Sequence, residues 1–109
     1  MNRDAAYLQD ILASAKAAQE YISFIPRENF RLLPEKQDAV MRALQVVGEA
    51  ARRLSQETKD AMPDVPWRRL IGMRNILIHQ YDNVDLDIVY DTVMDYLPVL
   101  VKRIEAFLA

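Results

Sequence analysis

The chain has no cysteine, a single histidine and only two glycines in 109 residues. Without cysteine there is no disulfide and no thiolate zinc site, and one imidazole cannot build a histidine-rich metal centre within one chain. No segment approaches the roughly 18 apolar residues that a membrane span needs, and the opening "MNRDAAYLQD" has no apolar stretch after its basic residue. The expectation is a cytosolic protein with no membrane partner, no metal and no cofactor. Charge of one sign is equally scarce. Fourteen Lys plus Arg oppose sixteen Asp plus Glu, a net charge of −2 with no long run of either. That excludes a protein that coats nucleic acid by bulk charge. Any RNA contact must be local, made by pairs such as Arg52-Arg53 and Arg68-Arg69, which in the plainer reading are solvated helix faces.

What is present is helical periodicity. Half of the side chains are hydrophobic and 28% are charged, the profile of one globular domain over residues 1–109. A core of this size is thin, so burial against a second copy would add useful apolar contact. Leu8, Ile11, Leu12, Ala15 and Ile22 recur at helical spacing and predict a first helix from about Arg3 to Phe24, stopped by Pro26. The stretch "PRENFRLLPEK" reads as a connection with Phe30, Leu32 and Leu33 tucked beneath it. A second helix is predicted from Pro34 or Glu35 to near Met62, with Val40, Leu44, Val47, Ala51 and Leu54 as its seam. Gly48, Ala50 and Ala51 are small enough to let another helix approach closely.

Pro66 can open a third helix, predicted from Trp67 to Tyr81 and apolar on nearly every face, as in a buried helix. Asp85 is a natural N-cap for a fourth, carried by Leu86, Val89, Val93, Leu97, Leu100 and Ile104, in which Pro98 can introduce a kink. The expected fold is all-α, an up-and-down four-helix bundle.

Within the third helix the segment "RNILIHQY" places Arg74, Asn75, His79 and Tyr81 in an otherwise apolar run. At about 100° per residue Arg74 and Tyr81 project to nearly the same side, and Asn75 and His79 lie one turn apart on a neighbouring face. Unwinding at the helix end could turn all four toward one opening. In the plainer reading Arg74 pairs with an acid on another helix, His79 caps a carbonyl, and Tyr81 is a core aromatic with a wet hydroxyl. The combination also suits chemistry. A histidine can deprotonate the 2′-hydroxyl of RNA, and a guanidinium can stabilise charge on the phosphoryl oxygens. With one histidine per chain, a separate acid and base require a two-fold dimer that joins two copies of the segment.

"RNILIHQY" resembles the RNxxxHxY signature of the HepT-like group of HEPN-domain proteins, small helical toxins paired with minimal nucleotidyltransferase (MNT) antitoxins. "QDAVMRALQVVGEAARRLS", "PWRRLIGMRN" and "DNVDLDIVYDTV" resemble the family's flanking segments, so the likeness spans nearly the whole chain. Gln80 replaces a familiar glycine, and Asp82 and Asn83 stand where an aromatic or glycine is common. The resemblance implies a homodimer joined through the motif-bearing helices. Arg74 and His79 would be the ribonuclease residues, with Asn75 orienting His79 or the phosphate. It further implies that Tyr81 accepts AMP from the MNT antitoxin, which silences a metal-independent endoribonuclease toxin acting on RNA. The alternatives are a non-catalytic helical module that binds the nucleotidyltransferase or a nucleotide, and a purely structural buried network.

Overall fold

A computed structural model describes residues 3–109. Among the described residues seven α-helices follow one another: α1 (Asp4–Tyr21), α2 (Arg27–Phe30), α3 (Pro34–Arg53), α4 (Gln56–Ala61), α5 (Trp67–His79), α6 (Leu86–Asp91) and α7 (Leu97–Leu108). Tyr81–Asn83 form a 3₁₀ turn after α5, and Thr92–Tyr96 a π-turn that fuses α6 to α7. Four rods therefore make the bundle: α1, α3, α5 and the fused α6–α7. The α3 rod packs between α1 and α5, and α1 also packs on α7.

The seams are those the spacing predicts. Leu8, Ile11, Ala15 and Ile22 of the first segment are buried against Val40, Leu44, Val47, Ala51 and Leu54 of the second, with Val89, Val93, Leu97, Leu100 and Ile104 closing the core. Asp85 caps α6, its carboxylate accepting from the backbone N–H of Asp87 at 2.9 Å. Pro98 disturbs the last rod through the π-turn just before it. Proline offers no N–H to the preceding turn, and the Leu97 N–H reaches back five residues to the Thr92 carbonyl.

Four expectations are corrected. The first helix ends at Tyr21 rather than Phe24, and Phe24 is fully exposed at φ 63° in the left-handed region. The connection after Pro26 contains α2, which buries Phe30 but leaves Leu32 and Leu33 exposed. Its arginines hold it to α6: Arg31 donates to both Asp87 carboxylate oxygens and Arg27 lies 5.0 Å over the Tyr90 ring. The second helix stops at Arg53 instead of continuing to Met62. Leu54 turns extended, and Ser55 caps the separate α4 by accepting from the Thr58 N–H. The break is fixed from a distance by the nearly buried Asp4 of α1, whose carboxylate accepts from the Ser55 N–H and hydroxyl and from the Thr58 hydroxyl. These donors, Ser55 first and then Thr58, hold the Asp4 carboxyl below its ordinary pKa.

The fourth correction concerns the third helix. It ends at His79, and only Trp67, Leu70, Met73 and Leu77 are buried. Ile76 and Ile78 are 42% and 43% exposed and, two residues apart, flank the buried face on opposite sides, so α5 is buried on one face only.

Candidate ribonuclease site

The site begins with a close approach of α5 to α3. At Gly48 an added Cβ would overlap the Arg74 Cβ and stand 2.8 Å from the Leu70 carbonyl oxygen, so the Arg74 stem occupies the place a side chain would take. One residue on, Glu49 meets that arginine, with Arg74 Nη2 3.0 Å from Glu49 Oε2. Arg52 donates through Nη2 to Glu49 Oε1 at 2.9 Å, and Arg53 through Nε to the same oxygen at 3.0 Å. Three guanidiniums thus share one carboxylate. Hydrogen bonds from Arg52 and then Arg53 hold the Glu49 carboxyl down at about 2, so it is ionised at neutral pH.

Arg74 donates through Nη1 to the Asn75 side-chain oxygen at 2.9 Å, while its Nε is buried with no acceptor among the described residues. A buried donor left unmet is costly in a native protein and marks a site worth explaining. Arg74, Glu49 and Arg53 line a cleft of about 450 Å³ between α1, α3 and α5, with Tyr7 and Asp10 on its far wall and Val46 and Ile78 on its apolar flanks.

His79 lies on the last turn of α5 and is exposed, with no side-chain partner among the described residues. Five residues separate it from Arg74, which places it about 140° further round the helix. Asn75 is exposed and engages Arg74, not His79. Tyr81 sits on the 3₁₀ turn, 45% exposed, its hydroxyl donating to Asp38 of α3 at 2.6 Å. That bond to a carboxylate, with some burial, raises the phenol above its ordinary pKa. The structure therefore couples Arg74 to Asn75 and stations His79 and Tyr81 at the adjoining helix end. It does not gather all four in one opening, because the cleft is lined by Arg74 but by none of the other three.

The plainer expectation for Arg74, an acidic partner on another helix, is met by Glu49. Sequence reasoning did not single out Glu49 or Asp38. Each lies on α3, far in sequence from the residue it serves. The basic pairs also have intramolecular roles: Arg52 and Arg53 bind Glu49, and Arg69 donates to the Tyr96 hydroxyl at 2.6 Å. Among the described residues no three acidic or histidine side chains gather as a metal site, and no helix is long and apolar enough to cross a membrane.

Comparison with known proteins adds a lineage to this geometry. The family model described as "Ribonuclease HepT-like" matches residues 11–107. The chain is 36% identical over 100 residues to "Putative RNase MJ1380" of Methanocaldococcus jannaschii, covering 92% of each protein. It is 35% identical over 99 residues to "Probable ribonuclease HepT" of Thermococcus cleftensis, covering 91% of this chain and 90% of that one. A third relative, "Putative RNase TTE0752" of Caldanaerobacter subterraneus, is 32% identical over 108 residues, 99% of this chain and 96% of the relative. No solved structure matches. The chain belongs to the HepT-like ribonuclease family.

Proposed function

We propose that the protein is a metal-independent endoribonuclease toxin, active as a homodimer, and that an MNT-type nucleotidyltransferase neutralises it by transferring AMP to Tyr81. The observation that carries this reading is the division of labour on α5. Arg74 is held against α3 by Glu49 while the imidazole of His79 stands free in solvent at the end of the same helix. In the proposed reaction His79 takes the proton of a ribose 2′-hydroxyl, whose oxygen attacks the adjacent phosphorus. The bond to the 5′-oxygen of the next nucleotide breaks, and that oxygen leaves with a proton from an acid. An imidazole can take or give a proton and so suits either step. Arg74 stabilises the charge that gathers on the phosphoryl oxygens.

One chain supplies one His79, so the acid comes from the second copy. The exposed Ile76 and Ile78, one on each flank of the motif helix, offer apolar surface for that contact. A two-fold arrangement would bring both copies of Arg74 and His79 to one composite cleft.

Tyr81 suits the modification because it is 45% exposed and its hydroxyl already donates to a carboxylate. When that oxygen attacks the α-phosphorus of ATP and pyrophosphate leaves, Asp38 stands ready for the phenolic proton. An anionic nucleotide placed beside the cleft would repel and block RNA phosphate. The test is RNA cleavage by wild-type protein and by Arg74→Ala and His79→Ala variants, with intact mass before and after exposure to the nucleotidyltransferase and ATP. Cleavage lost in both variants, and AMP gain abolished by Tyr81→Phe, are the expected results. If both variants keep full growth inhibition while binding of the transferase depends on the cluster, the non-catalytic module replaces this reading.

A further inference from the structure

We infer that Glu49 is the positioning residue for Arg74, and that Arg52 and Arg53, by sharing its carboxylate, keep the group cationic so that an RNA backbone phosphate meets a preset guanidinium. The inference rests on the ribonuclease reading of Arg74. Its physical basis is the economy of charge around one side chain. A lone Glu49–Arg74 pair would fix the guanidinium but cancel its charge, which would weaken its hold on an anion. Here three guanidiniums meet one carboxylate, leaving the group positive by two charges. The arginine is thereby held in place without being neutralised.

The geometry restricts Arg74 from every side. Its stem passes over Gly48, where no Cβ could stand beside it. Nη2 is on Glu49, Nη1 on Asn75, and Nε is buried. The Arg74 side chain is 23% exposed, while those of Arg52 and Arg53 are 52% and 54% exposed. The two outer arginines are thus the ones that solvent and a polyanion reach first, and the inner one is set by Glu49. Pre-organisation matters because a guanidinium already in place does not have to be ordered as the transition state forms. This gives the Arg52-Arg53 pair a purpose beyond a solvated helix face, and gives α3 a part in a site whose recognisable signature lies wholly on α5 and the turn after it.

The test compares wild type, Glu49→Gln and Glu49→Asp as full chains. Single-turnover cleavage of an RNA oligonucleotide is measured beside the dissociation constant of its non-cleavable 2′-O-methyl counterpart. Glu49→Gln keeps the shape and removes the charge, so the cleavage step is expected to slow by about tenfold or more. Binding of the 2′-O-methyl strand is expected to hold or tighten, since a negative charge has left the cleft. Glu49→Asp, which restores the charge on a shorter stem, is expected to recover part of the rate. A merely structural carboxylate would instead weaken rate and binding together with the thermal midpoint. Cleavage by Glu49→Gln within about twofold of wild type, or a loss matched by weaker binding, overturns the inference. If the wild type cuts no RNA, the ribonuclease reading fails and the positioning role is judged by NMR. A slowly exchanging Arg74 Nε–H signal that collapses in Glu49→Gln supports it, and one that persists unchanged overturns it.

Discussion

Two carboxylates organise this molecule, and they do so in opposite ways. Asp4 is nearly buried and, among the described residues, accepts from the Ser55 N–H and hydroxyl and the Thr58 hydroxyl. Glu49, its side chain 30% exposed, gathers three guanidiniums, one of which keeps a buried Nε without an acceptor among the described residues. The first network meets its polar groups inside the chain and locks a break between two helices. The second leaves positive charge in excess at the edge of a cleft. A polar network that closes on itself stabilises a fold, whereas one left open with excess charge is suited to a ligand.

Substitutions should separate the two regions. On the open side, Arg74→Ala and His79→Ala are each expected to lower RNA cleavage by about a hundredfold or more, the exposed His79 with the thermal midpoint little changed, which activity assays beside calorimetry will show. Between the regions, Gly48→Ala forces a methyl group into the Arg74 stem and the Leu70 carbonyl. About 1–3 kcal/mol of destabilisation is expected in chemical denaturation, as for other overpacked sites.

On the closed side, Asp4→Ala leaves the Ser55 and Thr58 donors unmet and should cost about 1–3 kcal/mol without touching the chemistry of Arg74. Its pH dependence has a definite sign. The folded Asp4 carboxyl lies below its ordinary value of 3.8, so its contribution to stability is complete above that value and fades as pH falls through the lowered native one. Asp4→Asn should therefore narrow the gap to wild type at low pH in acid-unfolding curves. The smallest effect is expected at Tyr81→Phe. The side chain is half-exposed, so stability should change by about 0.5 kcal/mol or less while the oxygen that would accept AMP is gone.

Much of this was legible in the sequence, because core faces and caps are local properties. The spacing of Val40, Leu44, Val47, Ala51 and Leu54 depends only on the helix turn, and Asp85 needs only the N–H groups two and three residues ahead. The break after Arg53 was not read, although "SQET" carries a Ser N-cap, because the seam continues through Leu54 and the carboxylate that secures the break comes from α1. Phe30 is buried whereas Leu32 and Leu33 face water, since α2 docks one face only. Ile76 and Ile78 fit the pattern of a buried helix yet are exposed on its two flanks, because apolar composition alone does not fix which side of a helix meets the core. The reach of Arg74 to Glu49 depends on the register between α3 and α5, which no single helix encodes.

The most direct test of the central claim is RNA cleavage in EDTA by protein made without its proposed antitoxin and shown by intact mass to carry no adduct, with His79→Ala alongside. The account predicts that the wild type cuts RNA and that the variant, folded to the same thermal midpoint, does not. An adduct-free wild type that leaves RNA intact, or a variant that cuts equally well, contradicts it.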